Sequence, residues 1–288
     1  MDDDRRSARG VTGAGALLLF STLGLLSAPT AAQLPSVPGF EVTVYAAVPE
    51  PIRLAFDEAT GELYAGRDLS DPRAPTSIHL IAPGGTPVTP YGSSAIADPD
   101  APLFDAAGVI SGIPGSVLVG GLNAAPPDAG SITRIAPDGT VSVLFGPTAQ
   151  YLNPTQLEFD PSGRLLFVDA GIDASQPLSL FASTGGEPVP LITFPVGMRP
   201  VALAVDGSNR IYTTALGSDV IQRYDASGTL LDAAFASGLP AAYLAFGRGD
   251  SFGFDLYAVE GGDLVRLDSF GAATIVGSGF GNVTGMQF

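Results

Sequence analysis

The chain has 288 residues, of which 45% are hydrophobic and 15% charged, so a disordered chain is excluded and one large all-β domain or two ordinary domains are expected. Its 37 glycines and 25 prolines indicate many turns and few long helices. The formal net charge of −16, with no lysine among the 13 basic residues, argues against binding nucleic acid or anionic lipid through charge.

The N-terminus predicts an export signal. Three arginines within the first ten residues precede an apolar run at 16–26, and small residues follow it. The run is well short of the roughly 20 residues that a membrane-spanning helix needs. We therefore expect a signal peptide over 1–32, cleaved after Ala32, and a bacterial protein that is periplasmic or secreted. An uncleaved anchor is the alternative, and the adjacent arginines at 5 and 6 leave a twin-arginine signal open.

A repeated unit follows a proline-containing leader at 33–39. Each unit opens with an apolar strand, predicted at 51–57, 106–111, 154–160, 200–206, 241–247 and 282–288. A second strand ends at or near glycine, predicted at 62–68, 116–121, 164–171, 210–217 and 255–262. The rest of each unit is a further hairpin that turns through glycine. Corresponding apolar positions recur at intervals of 41 to 54 residues, which suits a four-stranded blade.

A four-stranded sheet of this kind has two faces to cover and cannot bury both alone, whereas radial packing covers each face with a neighbouring sheet. We predict an all-β fold, a six-bladed β-propeller over 40–288, rather than a β-sandwich. The strand at 40–48 is expected to close the sixth blade, whose first strand is 282–288. That blade is two strands short. Either the chain is a fragment that lacks its last strands, which the hazard of an open sheet edge favours, or the blade is open between its two ends.

The pattern P-x-x-L-x-F-D-x-x-G-x-L-Y-V-x-D, best matched at 154–169 and 51–68, resembles the NHL-repeat and gluconolactonase-type (TolB-like) six-bladed propellers. The resemblance covers nearly all of the predicted propeller, and this architecture hosts enzymes and binding modules alike. Gluconolactonase-type enzymes bind one divalent cation on the axis through a Glu, an Asn and an Asp. Glu50 and Asn153 match the first two positions loosely, but Val201 stands at the third and cannot ligate a hard cation. Glu50 and Asn153 are therefore weak metal candidates, and no metal site or catalytic residue is assigned.

Little other catalytic chemistry is available. His79 is the only histidine, which excludes a multi-histidine site, and we expect it to be structural in the third strand of the first blade. The absence of cysteine excludes thiol catalysis. Many aspartates stand in turn sequences, where we expect them to accept hydrogen bonds from backbone N–H groups. The acidic loop at 97–105 offers a place for Ca²⁺, although EF-hand spacing is missing, and no other cofactor is expected.

Two short motifs invite over-interpretation. The sequence RGDS at 248–251 occupies a predicted turn, where glycine and aspartate are expected in any case. The sequon NVT at 282–284 lies in a predicted inner strand, and we interpret it as a chance occurrence.

Polar residues near the starts of the inner strands form the candidate binding site, since propeller ligands usually lie over the axis. They are Glu50, Arg53, Asn153, Gln156, Arg199 and Asn282. Polar groups among apolar inner strands must be hydrated, paired or available to a ligand. A water-filled channel mouth without a ligand is the alternative.

The sequence favours an exported, non-catalytic module that binds a ligand or protein or serves as a scaffold. We expect a monomer with an unknown protein or small-molecule partner, no nucleic acid, and no membrane span after signal cleavage. The alternatives are a metal-dependent, gluconolactonase-like hydrolase and a purely structural envelope protein.

Overall fold

The computed structural model describes residues 18–21, 34–67, 74–123, 129–240, 243–281 and 283–288. In this part of the chain the strands form five four-stranded antiparallel sheets. A two-stranded sheet pairs β1 (Leu18–Ser21) with β22 (Val283–Gln287). No helix in these residues is long and apolar enough to cross a membrane.

Each four-stranded sheet is a blade whose strands pair in chain order. The first strands are β2 (Pro51–Asp57), β6 (Ala101–Asp105), β10 (Pro154–Phe159), β14 (Arg199–Val205) and β18 (Tyr243–Phe246). The second strands are β3 (Glu62–Arg67), β7 (Ser116–Asn123), β11 (Leu165–Asp169), β15 (Ile211–Leu216) and β19 (Leu256–Glu260). The third strands are β4 (Pro75–Ile81), β8 (Ala129–Ile135), β12 (Ser179–Ser183), β16 (Val220–Tyr224) and β20 (Asp263–Leu267). The fourth strands are β5 (Val88–Ala97), β9 (Val141–Thr148), β13 (Val189–Thr193), β17 (Leu230–Ser237) and β21 (Ala273–Ser278).

The first strands surround a common axis, and β22 completes the ring. Each of β2, β6, β10, β14 and β18 contacts the next in this order, and β22 contacts both β18 and β2. The hydroxyl of Thr284 donates a hydrogen bond to the carbonyl oxygen of Pro51 at 2.7 Å. A Cβ on Gly285 would lie 2.8 Å from the Cα of Arg53, so only glycine permits this approach of the two strands.

The prediction of six blades is wrong. The structure has five four-stranded blades and a lone strand, β22, whose hydrogen-bonded strand partner in the described residues is β1. Residues 41–48 belong to no sheet, so the closing strand expected at 40–48 is absent. Residues 34–48, which we call the strap, pack on the neighbouring blades and form one backbone bridge, from Ser36 to Ser278 of β21, instead of adding a strand to β22.

The strap covers blade faces that no neighbouring four-stranded sheet covers. Near its start, Val37 packs with Tyr257 and Val259 of the fifth blade. Near its end, Val48 packs against Leu63 of the first blade. Burying such apolar surface is worth about 25 cal/mol per Å². The strap and β22 therefore complete the ring without a sixth four-stranded sheet.

Between the other blades, apolar side chains from neighbouring sheets form continuous cores. Tyr151, Phe167 and Phe181 are fully buried between the second and third blades. The ring of Tyr151 meets the other two edge-on, at centroid distances of 5.1 and 5.3 Å. Edge-to-face contacts of this kind stabilise aromatic clusters beyond their buried area.

The second blade begins earlier than predicted. Its first strand is β6, and residues 106–111, which we expected to be that strand, form a turn. The carboxylate of Asp105 accepts backbone N–H groups from Val109, Ile110 and Ser111 at 2.9, 3.1 and 2.8 Å. These hydrogen bonds hold the segment in a turn and are incompatible with a strand ladder.

The expected role of aspartates in turns is confirmed. Asp160 accepts the backbone N–H of Ser162 at 2.9 Å, and its other oxygen accepts Arg164 Nε at 2.8 Å. The equivalent turn of the fourth blade repeats this arrangement around Asp206. The RGDS sequence likewise lies between β18 and β19, outside any strand, in agreement with the predicted turn.

Gly84 and Gly85 provide a test of the strap. Their φ angles are 85° and 87°, so alanine strains the backbone similarly at both. A Cβ on Gly85 would lie 1.8 Å from the carbonyl oxygen of Tyr45 in the strap, whereas one on Gly84 would meet nothing within 4 Å. We expect Gly85→Ala to lower the free energy of unfolding by about 2 kcal/mol more than Gly84→Ala does. Urea denaturation of both variants measures the difference, and equal losses would contradict the close approach of the strap.

Candidate functional site

Arg53 lies on the axis near one end of the channel that the first strands enclose. We call this end the crossover face, because each fourth strand leads there into the next first strand. Arg53 Nη1 donates to Oε1 of Gln156 on β10 at 2.5 Å, and Nη2 donates to the carbonyl oxygen of Val201 on β14 at 2.6 Å. The guanidinium carbon lies 4.5 Å from the ring centroid of Tyr243 on β18. One side chain of β2 therefore connects four strands around the axis.

The backbone of Arg53 is locally distorted. It lies at a shift of strand register between Ile52 and Leu54, and its φ is 52°, in the left-handed region that side chains disfavour. Such a conformation costs on the order of 1–3 kcal/mol and persists only where its surroundings fix it. A similar shift leaves Val201 out of the β14–β15 ladder, so its carbonyl can accept the guanidinium.

Gln156 holds Arg53 in place. Its Nε2 donates to the carbonyl oxygen of Leu203 at 2.7 Å, while its Oε1 also accepts the Leu203 N–H at 3.3 Å. Arg53 is only 8% exposed. Burial lowers the pKa of its guanidinium, against the opposing effects of Tyr243 and Asp100, but an arginine in a protein stays protonated. A positive charge therefore blocks the axis near the crossover face.

The other residues predicted for the site do not reach the channel interior. Glu50 accepts a hydrogen bond from Arg67 at 2.8 Å, and Arg199 donates to the carbonyl oxygen of Ala170 at 2.7 Å. The side-chain oxygen of Asn153 is buried without a hydrogen-bond partner. None of these three lines the axial cavity. Asn282 lies outside the described residues, so the structure places only Arg53 and Gln156 together.

A cavity of about 160 Å³ lies on the axis beneath Arg53. It shares Glu158, Ala245, Arg248 and Gln287 with a second space of about 290 Å³ at the opposite end of the channel. We call that end the turn face, since first strands turn there into second strands. Phe254 lines the second space and is 80% exposed, so this space reaches the protein surface. The channel is therefore blocked at Arg53 and open at the turn face.

Glu158 is a candidate site residue that the sequence analysis missed. It lines both spaces, and in the described part of the chain its carboxylate makes no hydrogen bond. Protein surrounds the Glu158 carboxyl group on most sides, and the rest of it faces the channel. This burial raises the pKa of Glu158 to about 7, while the positive charge of Arg248 acts in the opposite direction. The available signal was its spacing of two from Gln156, which puts both polar side chains on the same side of β10.

No protein-family model and no curated protein matches the chain. Among solved structures, the nidogen/laminin complex aligns with a TM-score of 0.60 at 19% identity, over 82% of this chain and 83% of that chain. A gluconolactonase from Xanthomonas campestris aligns with a TM-score of 0.59 at 19% identity, over 80% and 75%. Virginiamycin B lyase from Staphylococcus aureus gives 0.52 at 16% identity, over 78% and 69%. This chain has the fold of the gluconolactonase-type β-propellers.

The fold predicted from the resemblance is thereby confirmed, apart from the number of blades. At these identities the likeness concerns the fold alone. The structural neighbours of this propeller include enzymes as well as a complex between two proteins, so the fold does not decide between catalysis and binding.

The donor set at the crossover face of this propeller does not fit a divalent cation. Glu50 is paired with Arg67, and Val201 offers a carbonyl that already accepts Arg53. The buried side-chain oxygen of Asn153 lacks a hydrogen-bond partner in the described residues. The guanidinium of Arg53 also repels a second positive charge on the axis.

The remaining candidates for metal binding and acid–base chemistry either have a structural role or lie apart from one another. Asp98 and Asp100 precede β6 whereas Asp105 ends it, so the strand separates the three carboxylates of the acidic loop. No cluster of three His, Cys, Asp or Glu side chains occurs in the described residues. His79 is buried in β4, where burial and the charge of Arg67 lower its pKa, which agrees with a structural role.

Replacement of Gln156 tests the network around Arg53. Gln156→Ala leaves Arg53 Nη1 without its acceptor in a buried site, and we expect a loss of about 2 kcal/mol in the free energy of unfolding. Gln150→Ala, at an exposed glutamine, is the control and should change little. Urea denaturation compares the two, and similar values would contradict the proposed importance of the network.

Glu158 predicts a specific dependence of stability on pH. The pKa of the Glu158 carboxyl group rises on folding, from its ordinary value of 4.5 to about 7. Its contribution to the free energy of unfolding is therefore fully present below pH 4.5 and is lost as the pH rises through about 7. Glu158→Gln cannot ionise, so the variant should gain stability relative to the wild type over this range. Urea denaturation at several pH values measures the gain. A difference that does not vary with pH, as expected for the exposed control Glu187→Gln, would contradict the raised pKa.

Proposed function

We propose that this chain is an exported, non-catalytic module on a gluconolactonase-type propeller, which binds a small molecule or a protein or serves as a scaffold. The observation that carries the proposal is the guanidinium of Arg53 on the axis. We further propose that the module is a monomer, binds no nucleic acid and acts in the periplasm or outside the cell.

Arg53 supports a binding rather than a catalytic role because its hydrogen bonds are made within the protein. Gln156, Val201 and Tyr243 hold its charged group from three strands. A buried charge with fixed partners is costly to displace, since a hydrogen bond to a charged group contributes about 1.5–3 kcal/mol. A substrate at the crossover face would have to displace the guanidinium of Arg53 or react without reaching the axis.

The alternative is a metal-dependent hydrolase of the gluconolactonase type. The unpartnered buried oxygen of Asn153 favours it, because a buried polar atom without a partner is rare and often marks a ligand position. The fold neighbours include a gluconolactonase. Two observations argue against the hydrolase. Glu50 is already paired with Arg67. Ca²⁺ binds six or more oxygen ligands, and a single amide oxygen is not enough to hold it.

Metal titration and lactone hydrolysis test the proposed function together. Ca²⁺ and Zn²⁺ are titrated calorimetrically into the full chain, and hydrolysis of gluconolactone is followed with and without each ion. We expect no stoichiometric ion binding and no hydrolysis above the rate in buffer. Binding of one ion with metal-dependent hydrolysis, both lost in Asn153→Ala, would overturn the proposal in favour of the hydrolase.

A further inference from the structure

The opening at the turn face has the size and lining of a small-molecule site. Its volume is about 290 Å³, near the lower limit of roughly 300–1,000 Å³ for such sites, so it suits a small ligand. Phe246, Phe254 and Phe288 supply an aromatic wall, and Glu158 supplies a carboxylate toward the channel interior. We call this opening the turn-face cavity.

Glu158 is the acidic group of the turn-face cavity that the protein leaves without a hydrogen bond in the described residues. Asp206, the other carboxylate of the lining, accepts Arg210 Nε at 2.6 Å and the backbone N–H of Ser208 at 2.9 Å. A carboxylate surrounded by protein is costly unless a cation or hydrogen-bond donor compensates its charge. The turn-face cavity therefore favours a ligand that brings a positive charge.

The basic group of the cavity has a carboxylate partner of its own. Arg248 forms an ion pair with Glu58 of the first blade, and both side chains are exposed. Arg248 still lowers the pKa of Glu158, but it makes no hydrogen bond to that carboxylate in the described residues, and Glu58 offsets part of its charge. The net charge of −16 on the chain also draws small cations toward the surface.

The aromatic wall determines the rest of the ligand. Phe254 is 80% exposed, which leaves a large apolar ring in water unless something covers it. A planar apolar group against Phe254 would bury this surface, and aromatic faces also attract ammonium groups. The turn-face cavity thus combines the carboxylate of Glu158 in its interior with the apolar ring of Phe254 at its mouth.

We propose that the turn-face cavity binds a small organic monoamine, with its ammonium group on Glu158 and its apolar body against Phe254. This inference rests on the proposed function, since it names the ligand class of a non-catalytic site. It differs from the site predicted at the crossover face, because the turn-face cavity lies at the opposite end of the channel.

Benzylamine is the probe that tests this proposal. It is titrated into the full chain at a pH about one unit above the pKa of Glu158, where the carboxylate is ionised, and binding is measured by calorimetry and by ligand-observed NMR. The other charged or titratable groups facing this part of the channel are Arg53, Tyr243, Arg248 and Asp206. We expect binding at about millimolar affinity or tighter, as is usual for a ligand of this size.

Variants and a neutral probe separate the two contacts. Glu158→Gln keeps the shape of the side chain but removes its charge, and should weaken benzylamine binding by about tenfold or more while leaving benzyl alcohol binding unchanged. Phe254→Ala should weaken both probes by a similar factor. Glu187→Gln removes an exposed carboxylate outside the cavity and should affect neither. Circular dichroism confirms that each variant is folded.

The outcomes distinguish this inference from the proposed function. No benzylamine binding, or equal binding by the wild type and Glu158→Gln, would overturn the amine site, and the non-catalytic module would stand if lactone hydrolysis is also absent. Metal-dependent lactone hydrolysis would overturn the proposed function whatever the result with benzylamine.

Discussion

The structure depends on covering both faces of every blade. A four-stranded sheet with two apolar faces is stable only when each face is packed, and four pairs of neighbouring blades achieve this with one another. The first and fifth blades lack such a neighbour on one side. There β22 fills the position at the axis, while Val37 and Val48 of the strap cover the flanking faces. The ring closes through side-chain burial where ladder hydrogen bonds were expected.

Closure of the ring also determines the chemistry of the axis. Strands arranged around a channel present side chains to one another across it, so a long residue on one strand can reach partners on the opposite side. Arg53 does this from β2 to Val201 on β14. The result is an asymmetric channel, with a fixed positive charge near the crossover face and the acidic Glu158 in the open part toward the turn face. The charge of Arg53 disfavours a cation-binding site close to it.

Much of the local structure was predictable from sequence, because it depends on neighbouring residues. The apolar strand beginning at Pro154 and the turn at Asp160 were correctly predicted, since aspartate hydrogen-bonds backbone groups only a few residues away. The start of the second blade was not, because the apolar residue Ile110 matches the strand pattern while Asp105 holds it in a turn. In the candidate site, Arg53 and Gln156 were identified from their polarity, but Glu158 two residues further was not.

The sequence by itself determined an all-β, acidic propeller-type chain, because turn residues, apolar alternation and the spacing of the repeat are encoded within each unit of some 41 to 54 residues. Tertiary structure alone decided that there are five blades, that the strap adds no strand to a blade, and that Arg53 lies on the axis at one end of the channel. These features depend on contacts between residues far apart in the chain, such as Arg53 with Val201 and Val37 with Tyr257. Contacts of that separation depend on how the blades meet around the axis, which no single repeat specifies.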